Sequence, residues 1–380
     1  MTIAPTPSAR EDWISMESVD AILITGANGL LGASISGRLS EQANESTRII
    51  AIVRSDKAER ELRQILGASA SRVEVLIADL GDRKSFVNLL PSGHLKKALM
   101  IHCAADVSWD KSEEELTTIN IEGTRTAALL LTSAANEPSF IYISSAYTRA
   151  EDWDYRNGYE ASKAAAERLL RSEFPDLPLS VFSCSLVIGR SADGEISRFH
   201  GLYPLIRLVS TPSTPFVIGR EDCMVDLVPI DWVTDQLLET THRTMRGETL
   251  DVVASAGADA VRLDRMFRLI EAEINRSRTE NGFAERAELP ILSYRRWDFL
   301  KRSIEVWKPE ELSTRELRQI THLIEIYRPY TMSDQVRAPQ NVTKPAPSAE
   351  SLLPSSTRYW LEKHSEQIVG RWRRTTEAAP

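Results

Sequence analysis

Cysteine is scarce in this chain. Three occur in 380 residues, Cys103, Cys184 and Cys223, far apart and with no CxxC. That spacing excludes a disulfide framework and a thiolate zinc site, and the three read as small buried hydrophobes. Histidine is also sparse, at six, and HExxH is absent, so no metal is expected. No stretch reaches the roughly 18 uninterrupted apolar residues of a membrane span. The N-terminal MTIAPTPSAREDWISMES lacks the basic-then-apolar order of a signal peptide, so the expected location is the cytoplasm. Positive charge is short too. Lys and Arg number 46 against 54 Asp and Glu, and the net charge of −8 argues against a nucleic-acid partner, which needs a basic face. Two local basic clusters, RSIEVWK and GRWRR, read first as solvated surface and second as docking spots. No internal repeat is present.

With 42% hydrophobic and 26% charged residues, the chain can bury one large core or a core and a half. DAILIT (20–25) is a short apolar run that ends in the glycine-bearing TGANGLLG, after which LLGASISGRLSEQ carries helical spacing. Further strands are expected at RIIAIVRS (48–55), RVEVLIADL (72–80), ALMIHCAA (98–105), SFIYISSA (139–146) and LPLSVFSCSLVIG (177–189), each separated from the next by a helical stretch. Six strands on crossovers of that length predict an α/β fold, a Rossmann-type doubly wound parallel sheet. A smaller, mostly helical C-terminal substrate lobe is expected to follow. The expected boundaries are a flexible N-terminus over 1–18, a nucleotide-binding domain over 19–190 with returning segments at about 226–255, and the lobe over 191–225 and 256–337. A Pro/Ser-rich linker (338–356) and a C-terminal helix and tail (357–380) complete the chain.

The glycines of TGANGLLG fall at 26, 29 and 32. In a strand–turn–helix context Gly26 permits the tight turn, Gly29 lets backbone approach a pyrophosphate, and Gly32 brings helix and strand close. Thr25, Asn28 and Leu30 share that turn and are assigned to the cofactor with it. An acid at the end of the second strand would select NAD by accepting from the ribose hydroxyls. This chain has Arg54 and Ser55 there, which points to NADP(H). Asp79 and Leu80, at the end of the third strand, are placed at the adenine edge, and Ala104 and Ala105 form a small-residue floor.

GYEASKAAAERLL (158–170) sets Tyr159 and Lys163 four residues apart, one above the other on a helix face. A cation that close favours a phenolate and lowers a pKa that is ordinarily near 10. Tyr155 competes for the role, but its +4 neighbour is Tyr159 rather than a lysine.

TGANGLLG, ADL, HCAAD (102–106), NIEGT (120–124), ISSAY (143–147) and the Tyr159/Lys163 pair together resemble the extended short-chain dehydrogenases/reductases. Within them, IVRS, SCSLVIGRSADGEISRFHG (183–201) and DLVPIDWVTDQLLE (226–239) look most like the fatty acyl reductase and thioester reductase branch. The resemblance implies a Ser-Tyr-Lys site. Ser145, with Ser144 as runner-up, and Tyr159 would bind the substrate carbonyl, and Tyr159 would protonate the oxygen as hydride arrives. Lys163 would hold the nicotinamide ribose. Cys184 and Val187 fall in the cofactor pocket. The chain departs from the branch at Ser183-Cys184, where Arg-Pro is usual, and in the fourteen residues from Ser145 to Tyr159, which imply a trimmed loop. The implied substrate is a fatty acyl or polyketide-like thioester on CoA or an acyl carrier protein, reduced to the aldehyde or, in a second round, to the alcohol. Another carbonyl substrate is the alternative, as in a ketone reductase, hydroxy dehydrogenase or sugar-nucleotide enzyme. A cofactor-sensing protein without turnover is a third reading, disfavoured because Tyr159 and Lys163 are both present.

Overall fold

The computed structural model describes residues 19–148, 155–212, 214–303, 313–333 and 335–377. The expected flexible segment 1–18, residues 149–154 of the loop between Ser145 and Tyr159, and most of RSIEVWK lie outside them. The chain divides into two compact units. One comprises the described residues up to Cys184 with Val233–Ala254 and Gln340–Thr343; the other comprises Ser185–Trp232, Ser255–Pro339 and the described residues from Lys344 on.

The first unit is built on a seven-stranded sheet. Its strands are β1 (Ala21–Thr25), β2 (Arg48–Val53), β3 (Val73–Ile77), β4 (Leu95–His102), β5 (Ala135–Ser145), β6 (Leu179–Cys184) and the later strand Asp251–Ala254. The spatial order is Asp251–Ala254, β6, β5, β4, β1, β2, β3, and every pairing is parallel. All five residues of β1 and the last five of β2 are buried, as expected for strands covered on both faces. Chain order reverses between β1 and β4, which opens a crevice beyond their C-terminal ends. Thr25 pairs with His102, His102 with Tyr142, and Ser145 with Cys184, so the residues leaving these strands share one edge.

Local chemistry explains the helix after β2. Ser55 caps Asp56–Leu66 by accepting from the Ala58 amide, Asp56 and Glu59 sit in its first turn, Arg63 lies in its last, and Gly67 ends it at φ 55°. Cap, macrodipole and terminator all agree. The helix Leu30–Gln42 is tied to Thr234 and Asp235 through the Ser34 hydroxyl (2.7 Å) and the Arg38 guanidinium (2.7 Å).

Two expectations are corrected. LPLSVFSCSLVIG is not one strand. β6 stops at Cys184, and Leu186–Ile188 pairs instead with Leu227–Pro229. Ser185 between them is buried, its hydroxyl donating to the Asp226 carboxylate, and an apolar run alone does not reveal that change of partner. Nor is 338–356 irregular throughout: 338–348 is irregular apart from a bridge at Gln340, but the rest is helical. Gln340 exchanges two backbone hydrogen bonds with Val253, and Ala349–Lys363 is a helix with Pro354 inside it. Its buried positions 349, 352, 353, 356, 357, 360 and 361 form an unbroken helical stripe, in which Ser356 and Thr357 disguise the apolar period. Packing of that stripe outweighs the hydrogen bond that proline removes. A second helix, Ser365–Glu377, follows after His364.

Gly194 adopts φ +76°, and a Cβ there would stand 2.3 Å from the Ser355 carbonyl oxygen. Gly194→Ala is therefore expected to lower stability by about 1–3 kcal/mol. Denaturant unfolding checks this, and an unchanged midpoint would refute the close packing of the helix against this turn.

Candidate active site

The glycine turn leaves β1 with no room for side chains. Gly26 has φ +62°, and a Cβ on it would lie 2.6 Å from the Ala104 Cα. A Cβ on Gly32 would lie 2.3 Å from the Gly26 carbonyl oxygen. The Gly29 amide donates to Gly26 (2.8 Å), and Gly29 opens the helix Leu30–Gln42 with no side-chain cap and no acid in its first turn. The amides at the positive end of that helix therefore have no side-chain cap and no acid from its own first turn to satisfy them. These features fit the pyrophosphate of a dinucleotide.

Arg54 follows the last residue of β2 directly and is exposed, with no hydrogen bond or ion pair to another described residue. The Ser55 hydroxyl accepts from Ala58 (3.3 Å). Asn28 donates to Glu61 (3.2 Å). Asp79 is exposed and accepts from the Gly81 amide (2.8 Å), while Leu80 is buried. Ala104 and Ala105 are half-buried on the loop after β4, Ala104 against the glycine turn. Val187 belongs to the second unit and Cys184 ends β6 in the first.

Asn157 caps the helix Gly158–Glu173 by accepting from Glu160, and its fifth and sixth residues bring Ser162 and Lys163 inward. A Cβ on Gly158 would be 2.4 Å from the Lys111 carbonyl oxygen, so the backbone beside Tyr159 is pressed against residues 111–113. Lys163 is 2% exposed. Its Nζ lies 4.3 Å from the Tyr142 ring centroid, and the Tyr142 hydroxyl donates to the Lys163 carbonyl (3.1 Å). Burial pulls the ammonium down to about 8, against Cys103, Cys184 and Glu167, which favour its charge.

The Tyr159 phenol is half-buried, and burial, more than Cys184 or Glu160, holds it above its ordinary value. This reverses the expected net lowering, because burial of the phenol outweighs it. The consequence is a phenol that carries its proton at neutral pH, the form a general acid needs. Ser145 ends β5 at 7% exposure; its hydroxyl accepts from the Tyr147 amide (3.3 Å) and has no acceptor among the described residues for its own proton. The Ser144 hydroxyl is instead paired with Thr148 (3.1 Å). Tyr155 is exposed and accepts from Arg168 (3.1 Å), which removes it as a competitor. Cys103 and Cys184 are half-buried at this edge rather than core hydrophobes, and burial pushes the Cys103 thiol up to about 12. Among the described residues, no His, Cys, Asp and Glu cluster could hold a metal, and no helix is long and apolar enough to cross a membrane.

The family model described as male sterility protein, an NAD-binding family, matches residues 24–154 and 148–237, more than half of the chain. The chain belongs to that family. It is an oxidoreductase of the extended short-chain dehydrogenase/reductase type, on the fatty acyl and thioester reductase branch. The chain is 29% identical over 239 residues to equisetin synthetase eqxS of Fusarium heterosporum, covering 59% of this chain and 6% of that protein. The chain thus spans a small fraction of the length of the curated relative. The terminal R domain of the myxalamid PKS-NRPS pathway superposes with a TM-score of 0.67 at 21% identity over 92% of both chains. A thiolation-reductase di-domain from an archaeal non-ribosomal peptide synthetase superposes at 0.62 and 15%, over 94% of this chain and 78% of that one. At these identities the likeness speaks for the fold alone.

Sequence reasoning missed two buried polar residues of this reductase. Asn120, in a π-helical turn, accepts from the Asp106 amide (2.7 Å) and donates to the Asp106 carbonyl (3.0 Å) and to Ser162 (2.9 Å), which in turn donates to the Tyr159 carbonyl (2.8 Å). It couples the loop after β4 to the Tyr159 helix. His102 lies between Thr25 (2.8 Å) and Thr124 (3.1 Å), and Thr25 accepts from the Ala104 amide (3.3 Å). The Thr124 hydroxyl donates to Asn120 (2.6 Å), so His102 Nε2 carries the hydrogen and donates to Thr124. HCAAD and NIEGT contain both residues, but their partners lie far away in sequence.

Burial first, then Lys163, pulls His102 down to about 3 from 6.5. Between those values the unfolded chain binds a proton that the folded one refuses, so stability is lost as pH falls from about 6.5 toward 3, by on the order of 5 kcal/mol. Denaturant titrations at pH 7, 5 and 4 are expected to show a steeper acid loss for the native chain than for His102→Gln. Equal losses would remove His102 as the cause.

Proposed function

We propose that the chain is an NADPH-dependent reductase of an acyl thioester carried on CoA or a carrier protein, with aldehyde and thiol as products. The observation that carries this reading is the enclosed Lys163 one helical turn from Tyr159, with Ser145 ending β5, in a chain of this family. The synthetase relative and the thiolation-reductase neighbour support a carrier-bound substrate.

Gly26, Gly29 and the amides opening Leu30–Gln42 would hold the pyrophosphate, Arg54 the 2′-phosphate, and Lys163 the nicotinamide ribose. The reduced nicotinamide supplies hydride to the thioester carbon when bound. Ser145 donates to the carbonyl oxygen and orients it. Tyr159 Oη passes its proton to that oxygen as negative charge develops there, and the nearby ammonium of Lys163 stabilises the phenolate left behind. The resulting hemithioacetal loses its thiol by C–S cleavage. The balance is one thioester, one hydride and one proton in, one aldehyde and one thiol out. Ketone reduction would use the same groups and release no thiol.

Tyr159→Phe is expected to lower kcat by about 10²–10⁴-fold while NADPH affinity, read by fluorescence titration, stays close to native. Retained turnover would dismiss Tyr159 as the acid. Arg54→Gln is expected to weaken NADPH at least about tenfold and leave NADH within twofold. Equal effects on both cofactors would overturn the NADPH assignment. Simultaneous recording of NADPH absorbance and thiol release over a panel of acyl thioesters and ketones tests the substrate class, and oxidation without thiol would move it to ketones.

A further inference from the structure

Cys184 ends β6 in register with Ser145, the last residue of β5. Paired residues on neighbouring parallel strands turn their side chains to the same face, with the backbones about 4.8 Å apart, so the Cys184 thiol stands beside the Ser145 hydroxyl. That hydroxyl is buried at 7% exposure, and its proton has no acceptor among the described residues. The enclosed ammonium of Lys163 is the second donor at this edge. Cys184 lies close enough to it to favour its charge, and close enough to Tyr159 to help hold the phenol's proton. All four residues belong to the first unit. Cys184 is half-buried rather than sealed in the core, and it stands where the chain departs from the Arg-Pro usual in its branch. An ammonium and a hydroxyl donor beside a thiol are the surroundings that stabilise a thiolate, the form that attacks electrophiles and peroxides. The other two cysteines lack that setting. Burial pushes the Cys103 thiol up to about 12, so it keeps its proton at neutral pH. Cys223 is fully buried in the second unit, where its thiol meets the Tyr330 carbonyl (3.3 Å).

The geometry points to Cys184 as a modification site: a hydroperoxide oxidises it to the sulfenic acid, a small thiol caps it, and the adduct closes the nicotinamide end of the cofactor site. In the first step the sulfur gives two electrons to the peroxide O–O bond, which breaks, leaving S–OH on Cys184 and one water from hydrogen peroxide. In the second the capping thiol attacks that sulfur, an S–S bond replaces the S–O bond, and the hydroxide leaves as water with the thiol's proton. Cys103 does not resolve the sulfenic acid. β5 lies between the strands that lead to the two cysteines, which sets their Cα atoms on the order of 10 Å apart, beyond the roughly 7 Å that a disulfide spans. The closing of the cofactor site rests on the reading above, in which Lys163 holds the nicotinamide ribose.

The test has a labelling arm and a binding arm. Peptide mass mapping after brief iodoacetamide treatment at neutral pH is expected to show Cys184 alkylated at least about tenfold faster than Cys103 or Cys223. Lys163→Met is expected to slow Cys184 at least about tenfold, and Ser145→Ala, which keeps the cation, to slow it by less. Saturating NADPH is expected to protect Cys184. Hydrogen peroxide followed by glutathione is expected to place one mixed disulfide, on Cys184, and to abolish NADPH binding in a fluorescence titration, with dithiothreitol restoring it. In Cys184→Ala the same treatment is expected to leave that variant's own titration where it was. Equal alkylation of the three cysteines, a native rate in Lys163→Met, or native NADPH affinity in the capped protein overturns the proposal. If the untreated chain binds no NADPH, the reductase reading fails, while the alkylation rates still decide whether Cys184 is the reactive thiol.

Discussion

The site is organised around a cation kept out of water. Lys163 is almost fully enclosed, its ammonium faces the Tyr142 ring, and burial leaves it close to neutrality in affinity for its proton. An ammonium so placed is poorly screened, and a charge that develops a few ångströms away feels it far more strongly than it would in solvent. Burying it has a cost to the fold, which is tolerable only because the surrounding strands and helix are over-determined. The unbroken parallel pairing of β4, β5 and β6 and the cap at Asn157 fix the helix that carries it.

The second constraint is the crevice where chain order reverses. Gly26 must be glycine because Ala104 touches it, and Ala104 is where it is because its amide is bonded to Thr25, which His102 holds from the other side. His102 in turn meets Thr124 and, through it, Asn120, whose side chain spans to Ser162 and so to the Tyr159 carbonyl. The glycine turn and the backbone of Tyr159, the proposed proton donor, are thus joined by one path through buried groups. Such a path has no slack, which suits a reaction in which the acceptor oxygen and its proton donor must already be in register.

The strands and the glycine turn were legible because parallel strands buried on both faces read as apolar runs, and because a strand ending in three spaced glycines has few other uses. Tyr159 and Lys163 were legible from spacing. The direction of the Tyr159 shift was not, since burial of the phenol is a property of the packed helix rather than of the interval between two residues. Asn120 and His102 stood inside quoted motifs yet gained roles only through partners brought in by the sheet. The helix over Ala349–Lys363 was hidden by Pro354 and by the hydroxyl residues in its buried stripe.

The proposed chemistry depends on the state of Lys163. Carbon-13 labelling of lysine Cε, with Lys163→Met to assign the resonance, allows its titration to be followed by NMR in the folded protein without cofactor. The expected midpoint is about 8, with the phenol of Tyr159 still protonated through that range. A lysine that titrates near its ordinary 10.5 would show a solvated ammonium and would contradict the buried cation on which the proposed chemistry depends.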